Sequence, residues 1–176
     1  DGHDLLTLTY GDTATLWRIN KGWRRRKDKQ DLGFVLDIER GYWAKNEQEI
    51  ESDKDDELSA RREKVIPYVE DRRNSLLIEF AERYSNEVMA SLQPALKSAI
   101  QIIYQLEDSE LAAEPLPSRD ERNMILIYES AEGGAGVLRQ MVSDPEAIKQ
   151  VARQALELCH FDPDTRGDNR RSPTAK

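Results

Sequence analysis

The chain has little to work with by way of metal ligands and nucleophiles. It contains one cysteine, Cys159, and two histidines, His3 and His160. A single cysteine excludes an internal disulfide and fits a reducing compartment. It also leaves a structural zinc site, which takes four ligands, incomplete within these residues. No apolar run is long enough to cross a bilayer, and no signal peptide opens the chain. No Gly-Lys-Ser/Thr follows a glycine-rich turn, and no His-Glu-x-x-His occurs. No Ser/His/Asp arrangement has recognisable local context, so an autonomous enzyme is not expected. Positive charge is in deficit: 26 Lys and Arg stand against 34 Asp and Glu, a net charge of −8. That balance argues against a surface coated throughout by nucleic acid, while allowing a local basic patch. Asp1 rather than Met opens the chain, which reads as a piece of a longer cytoplasmic protein.

What is present falls into four stretches. Over residues 1–45, Leu5–Thr9 and Ala14–Ile19 are rich in β-formers around Gly11-Asp12. Gly33–Ile38 and Tyr42-Trp43 flank a hairpin-like turn at Glu39-Arg40-Gly41, so a small antiparallel β unit is expected. Residues 46–64 are almost devoid of apolar side chains and read as a charged connector, with a short helix after Ser52 as the other option. Residues 65–161 form a second, α/β unit. There Val65–Glu70 and Ser75–Phe80 look like strands around an Asp71–Asn74 turn. Val88, Leu92, Leu96, Ala99, Ile103 and Leu106 recur at helical spacing. Pro94 either kinks that helix or lies in its first turn, with the start near Ser91. Leu111–Leu116 is a short extended piece and Met124–Ser130 the most buried-looking strand. A last helix, capped by Asp144 or by a Ser143–Glu146 box, carries Ile148, Val151, Ala152, Ala155, Leu156 and Cys159 on one stripe. Residues 162–176 are a polar tail that is expected to be disordered. The fold class is α+β or mixed α/β: the antiparallel unit, then a mixed sheet with packed helices.

Three motifs carry the chemistry. Glu132-Gly133-Gly134-Ala135-Gly136 sits between strand and helix, where phosphate loops sit, but its spacing fits neither a P-loop nor a dinucleotide fingerprint. Glu129 and Glu132 would repel an anion, so Gly133, Gly134 and Gly136 are read as a tight turn packing a helix on the sheet. Trp23-Arg24-Arg25-Arg26-Lys27 joins a flat ring to four cations, which suits contact with a nucleic-acid backbone and base. The plainer reading is a solvated charge run, diluted by Asp28 and Asp31. Cys159-His160 pairs two metal-ligand types, whereas the plainer reading buries Cys159 on its helix stripe.

The order of Asp71–Leu77, Ser91–Leu96, Tyr128-Glu129, Glu132–Leu138 and Ala155–His160 resembles the MrfA-type zinc-binding domain family. That domain lies at the C-terminus of bacterial DEAD/DEAH-box helicases and in the DrmB component of the DISARM anti-phage system. The run Leu106–Pro117 is similar to the defence-system branch. The resemblance implies a non-catalytic accessory domain of a DNA-translocating machine, in anti-phage defence or DNA repair. It implies a helicase core or helicase subunit as partner, DNA through the parent complex, and no membrane. It also implies zinc held by a cysteine cluster, of which only Cys159, with His160, is present here. The alternative is a protein–protein scaffold that never touches DNA, which the acidic charge favours.

Overall fold

The computed structural model describes residues 4–25, 28–39, 41–43, 62–165 and 167–168. The charged connector lies mostly outside the described residues, as do Arg26, Lys27 and most of the polar tail. Strands β1 (Leu6–Ile19), β2 (Phe34–Asp37), β3 (Tyr42–Trp43), β4 (Arg62–Val65) and β5 (Tyr68–Phe80) come first. Helix α1 (Asn86–Tyr104), strands β6 (Leu111–Pro117) and β7 (Arg122–Glu129), and helices α2 (Val137–Ser143) and α3 (Ala147–Leu158) follow. They form two antiparallel sheets, ordered β1-β5-β7-β6 and β3-β2-β4, with three helices, an α+β fold as expected. Contacts divide the chain into two compact units, Asp1–Thr15 with Arg72–Lys176, and Leu16–Asp71.

In the larger unit the core follows from strand alternation. Pairing sets Leu76 against Ile127 and Ile78 against Ile125. All four are within 1 % of full burial. Burying each such side chain contributes about 1.5–3 kcal/mol. Period-2 alternation carries Asn74 and Glu129 onto this same face, at its end. Helix α1 covers β6 and β7 with Met89, Leu96, Ala99 and Ile100, and α3 packs on α1 through Val151 and Ala155. Ser85 caps α1, its hydroxyl accepting from Val88 N at 3.4 Å. The helix therefore begins well before Ser91, and Pro94 lies inside it at an exposed position. The last helix starts later than the expected Asp144 cap: Glu146 is its N-cap and no side chain caps it, while Asp144 closes α2 and its Oδ1 accepts from Glu146 N at 2.9 Å in the turn between the helices. Ser143 does not cap it either: its hydroxyl donates back to Arg139 O.

The strand break expected at Gly11-Asp12 and the turn expected at Asp71–Asn74 are both absent. Gly11-Asp12 lies within β1, and Asp71–Asn74 lies within β5, each a single long strand. The two irregular spots meet, because Thr13, at φ 53°, donates its N–H to Asn74 Oδ1 at 3.2 Å. A β-branched residue at positive φ is strained, and a fixed partner offsets the strain.

In the smaller unit the expected hairpin forms, with Leu36 opposite Trp43 and Asp37 opposite Tyr42. Arg62–Val65, mostly on the connector side of the compositional boundary, pairs with β2 as its other neighbour.

Candidate functional site

The glycine-rich corner is built around a carboxylate of the chain itself. Glu129 closes β7 and is 2 % exposed. Its Oε2 accepts from Gly136 N at 3.1 Å and from Asn74 Nδ2 at 3.0 Å. Its Oε1 accepts from Leu138 N at 3.1 Å. Gly136 is the N-cap of α2 and has no side chain to satisfy the first amides, so Glu129 caps the helix from the preceding strand. The corner does hold an anion, and that anion is Glu129. The tight turn expected from sequence is present, and the Glu129 carboxyl takes the amides that an anionic ligand would need.

The glycines divide the labour. Gly133, Gly134 and Gly136 have φ of 79°, 57° and 73°. A Cβ on Gly134 would stand 1.6 Å from Glu129 Oε2, whereas one on Gly133 or Gly136 would meet nothing within 4 Å. Asn74, 7 % exposed, ties the network together by donating also to Gly133 O at 3.1 Å. Sequence reasoning missed Asn74, since beside Arg72-Arg73 it looks like a turn residue. Nearby, partial burial pushes the Tyr10 phenol above its ordinary value, Asp12 and Glu129 push it further, and Arg139 acts against them. The buried Asn74 and Glu129 side chains are thus hydrogen-bonded within the corner, while Glu132 of the same turn is exposed.

The basic loop belongs to the smaller unit. Trp23, Arg24 and Arg25 line a concavity of about 570 Å³. Trp23 packs edge-on against Phe34 at 5.2 Å, and Phe34 edge-on against Trp43 at 6.2 Å. The base of the loop is pinned: Gly33 N donates to Lys21 O at 2.9 Å, and a Cβ on Gly22 would stand 2.8 Å from Gly33 O. Lys29 Nζ donates to Arg24 O at 2.9 Å, which holds a third cation beside the two arginines. The structure thus brings Trp23, Arg24 and Arg25 together on one pinned loop, with Arg26 and Lys27 outside the described residues.

Cys159 and His160 end α3. Phe161 N donates to Leu156 O at 2.9 Å and His160 N to Glu157 O at 2.9 Å, a Schellman closure with His160 in the left-handed region at φ 63°. Cys159 is exposed, which corrects the buried-stripe reading. The physical reason is its place at the helix C-cap, where the stripe has run past the core. Beyond it, amides of Thr165 and Asp164 hold the Asp162 carboxyl below its ordinary value. Among the described residues no group of three or more His, Cys, Asp or Glu side chains could hold a metal. Cys159 and His160 supply at most two of the four ligands of a structural zinc, so the described residues do not fit a complete zinc site.

The glycine corner and the helix-end Cys-His pair belong to the larger unit and the basic loop to the smaller. Residues 92–164, from within α1 to just beyond α3, match the family described as the MrfA Zn-binding domain, so the resemblance read from the sequence is shown over this segment. No curated protein matches the chain. Among solved structures, the crystal structure of DUF1998 helicase MrfA bound to DNA is similar, at 11 % identity and a TM-score of 0.43. That likeness covers 98 % of this chain but only 24 % of the helicase chain.

Proposed function

We propose that the chain is a non-catalytic accessory module of a helicase-type protein in anti-phage defence or DNA repair. In this reading it supports DNA engagement and docks on a helicase core or helicase subunit in the cytoplasm. The observation that carries it is the pinned Trp23-Arg24-Arg25 loop, a cationic concavity with an aromatic wall on an otherwise acidic chain. Cations neutralise phosphates and a ring accepts a base or sugar, the two contacts that DNA offers without sequence readout. The match of residues 92–164 to a zinc-binding domain family supports the accessory role. In the parent protein, zinc would take Cys159 and His160 as two ligands and complete its set from outside the described residues. Charge reversal at Arg24, Arg25, Arg26 and Lys27 should weaken DNA binding at low salt, and unchanged affinity would remove DNA from the proposal.

One observation favours a protein-docking reading. Val88, Leu92, Ala95, Ala152, Leu156 and Phe161 line an apolar groove of about 600 Å³ between α1 and α3. Crosslinking of the parent complex on DNA separates the readings, since a pure scaffold would yield protein crosslinks alone from this chain.

A further inference from the structure

The chain has three tryptophans, and all fall between residues 17 and 43. All three are exposed: Trp17 by 57 %, Trp23 by 40 % and Trp43 by 47 %. Tryptophan is large and apolar, and a solvated site for it is costly unless a partner covers it. The same stretch reverses the charge of the chain. Residues 16–43 hold eight Lys or Arg against four Asp or Glu, whereas the chain as a whole is at −8.

The rings are arranged as two groups. Trp17, near the end of β1, stacks on Tyr68, at the start of β5, with centroids 5.1 Å apart and planes 12° apart. Tyr68 is 58 % exposed, so this pair stands in solvent. Trp23, Phe34 and Trp43 form the edge-to-face group. A short backbone stretch joins them. Asn20 N donates to Pro67 O at 2.8 Å, next to Tyr68, and Lys21 O accepts from Gly33 N, next to Phe34. The two aromatic groups therefore flank Asn20-Lys21, with the Trp23-Arg24-Arg25 concavity beginning two residues on.

We infer that the smaller unit is a single-strand nucleic-acid surface in which the Trp17–Tyr68 pair is a base-stacking platform, distinct from the phosphate-binding loop. This rests on the DNA reading above and adds the ligand class. Parallel, exposed rings offer a face to an unpaired base and nothing to a base pair already stacked in a duplex. The excess of cations in the same stretch supplies the complementary field for the backbone. A protein partner of the same patch would be expected to bring acidic residues and to ignore nucleic acid.

The test uses the 176-residue chain with labelled oligo(dT) and a duplex of equal length at low salt, read by fluorescence anisotropy. The variants are Trp17→Ala and Tyr68→Ala, with Trp17→Phe and Tyr68→Phe keeping a ring. Oligo(dT) should bind more tightly than duplex. Each alanine variant should weaken oligo(dT) binding by about five- to about a hundredfold, with the salt dependence unchanged and the phenylalanine variants close to the parent. If the alanine variants bind oligo(dT) like the parent while Arg24→Glu/Arg25→Glu weakens it, the platform is wrong and the DNA reading stands. Preference for duplex overturns the platform, and no binding of either probe overturns both. Photocrosslinking of bromodeoxyuridine-substituted oligonucleotide to the unaltered chain gives a readout that no variant's folding affects. Crosslinks should map to peptides with Trp17 or Tyr68, and crosslinks confined elsewhere reject the proposal.

Discussion

Gly134→Ala is the sharpest perturbation of the corner. The new Cβ would stand 1.6 Å from Glu129 Oε2 and 2.7 Å from its Cδ, so the carboxylate must leave. It would abandon the amides of Gly136 and Leu138 and the side chain of Asn74. Hydrogen bonds to charged groups contribute about 1.5–3 kcal/mol each, and the left-handed conformation costs alanine about 1–2 kcal/mol more. Loss of two of the three bonds brings the total to about 4 kcal/mol or more, against about 5–15 kcal/mol for a typical domain. Gly133→Ala and Gly136→Ala share the positive φ but meet open space, so each should cost only about 1–2 kcal/mol. Urea unfolding followed by far-ultraviolet circular dichroism compares them. With a slope of about 2 kcal/mol per molar, Gly134→Ala should lower the midpoint by about 2 M or more and the controls by about 0.5–1 M. Equal midpoints for Gly134→Ala and Gly133→Ala would refute the claim that the turn is shaped by the Glu129 carboxylate.

Asn74→Ala should cost about 2–4 kcal/mol, because it leaves Thr13 N and one Glu129 bond without their partner, and the same urea titration measures it. Pro94→Ala restores an amide donor inside α1 at an exposed position and should raise stability by up to about 3 kcal/mol, read as a rise in melting temperature. Lys97 and Gln101 hold the Asp108 carboxyl below 3.8, first by hydrogen bonds and then by charge. A depressed carboxyl favours the fold above its unfolded value and loses that contribution as pH falls through the folded value. Carboxyl NMR should place its midpoint below 3.8, and Lys97→Ala should move it upward; an unmoved midpoint would discount the contact. Cys159 should react with a thiol reagent in the native chain at the rate of an exposed thiol, one equivalent per chain, and slow reaction only on unfolding would contradict its exposure.

Local patterns were legible where local physics decides. β7 is a continuous apolar run that ends at an acidic glycine turn, and α3 has a regular apolar stripe, although its start at Ala147 behind Glu146 was not read from the Asp144 signal. The β2–β3 hairpin follows from its turn residues. The lengths of β1 and β5 were not legible, because Gly11-Asp12 and Asp71–Asn74 carry turn chemistry that only a distant partner overrides. That partner is visible only in three dimensions: Asn74 binds Thr13, Glu129 and Gly133, which are 61, 55 and 59 residues away. The role of Glu129 was hidden for the same reason, since a glutamate beside a glycine loop reads as repulsion until its amide partners are seen. Of the basic loop, the residue types were legible, whereas the stacking of Trp17 on Tyr68 depends on the approach of the end of β1 to the start of β5.

The account stands most directly on the salt dependence of single-stranded DNA binding by this chain and by its Arg24→Ala/Arg25→Ala variant. If both arginines meet phosphates, the double variant binds more weakly at every salt concentration. The slope of log affinity against log salt then falls by about 1.4, about 0.7 for each lost phosphate contact. Identical affinities and slopes for the two proteins would contradict a DNA-engaging role for the loop.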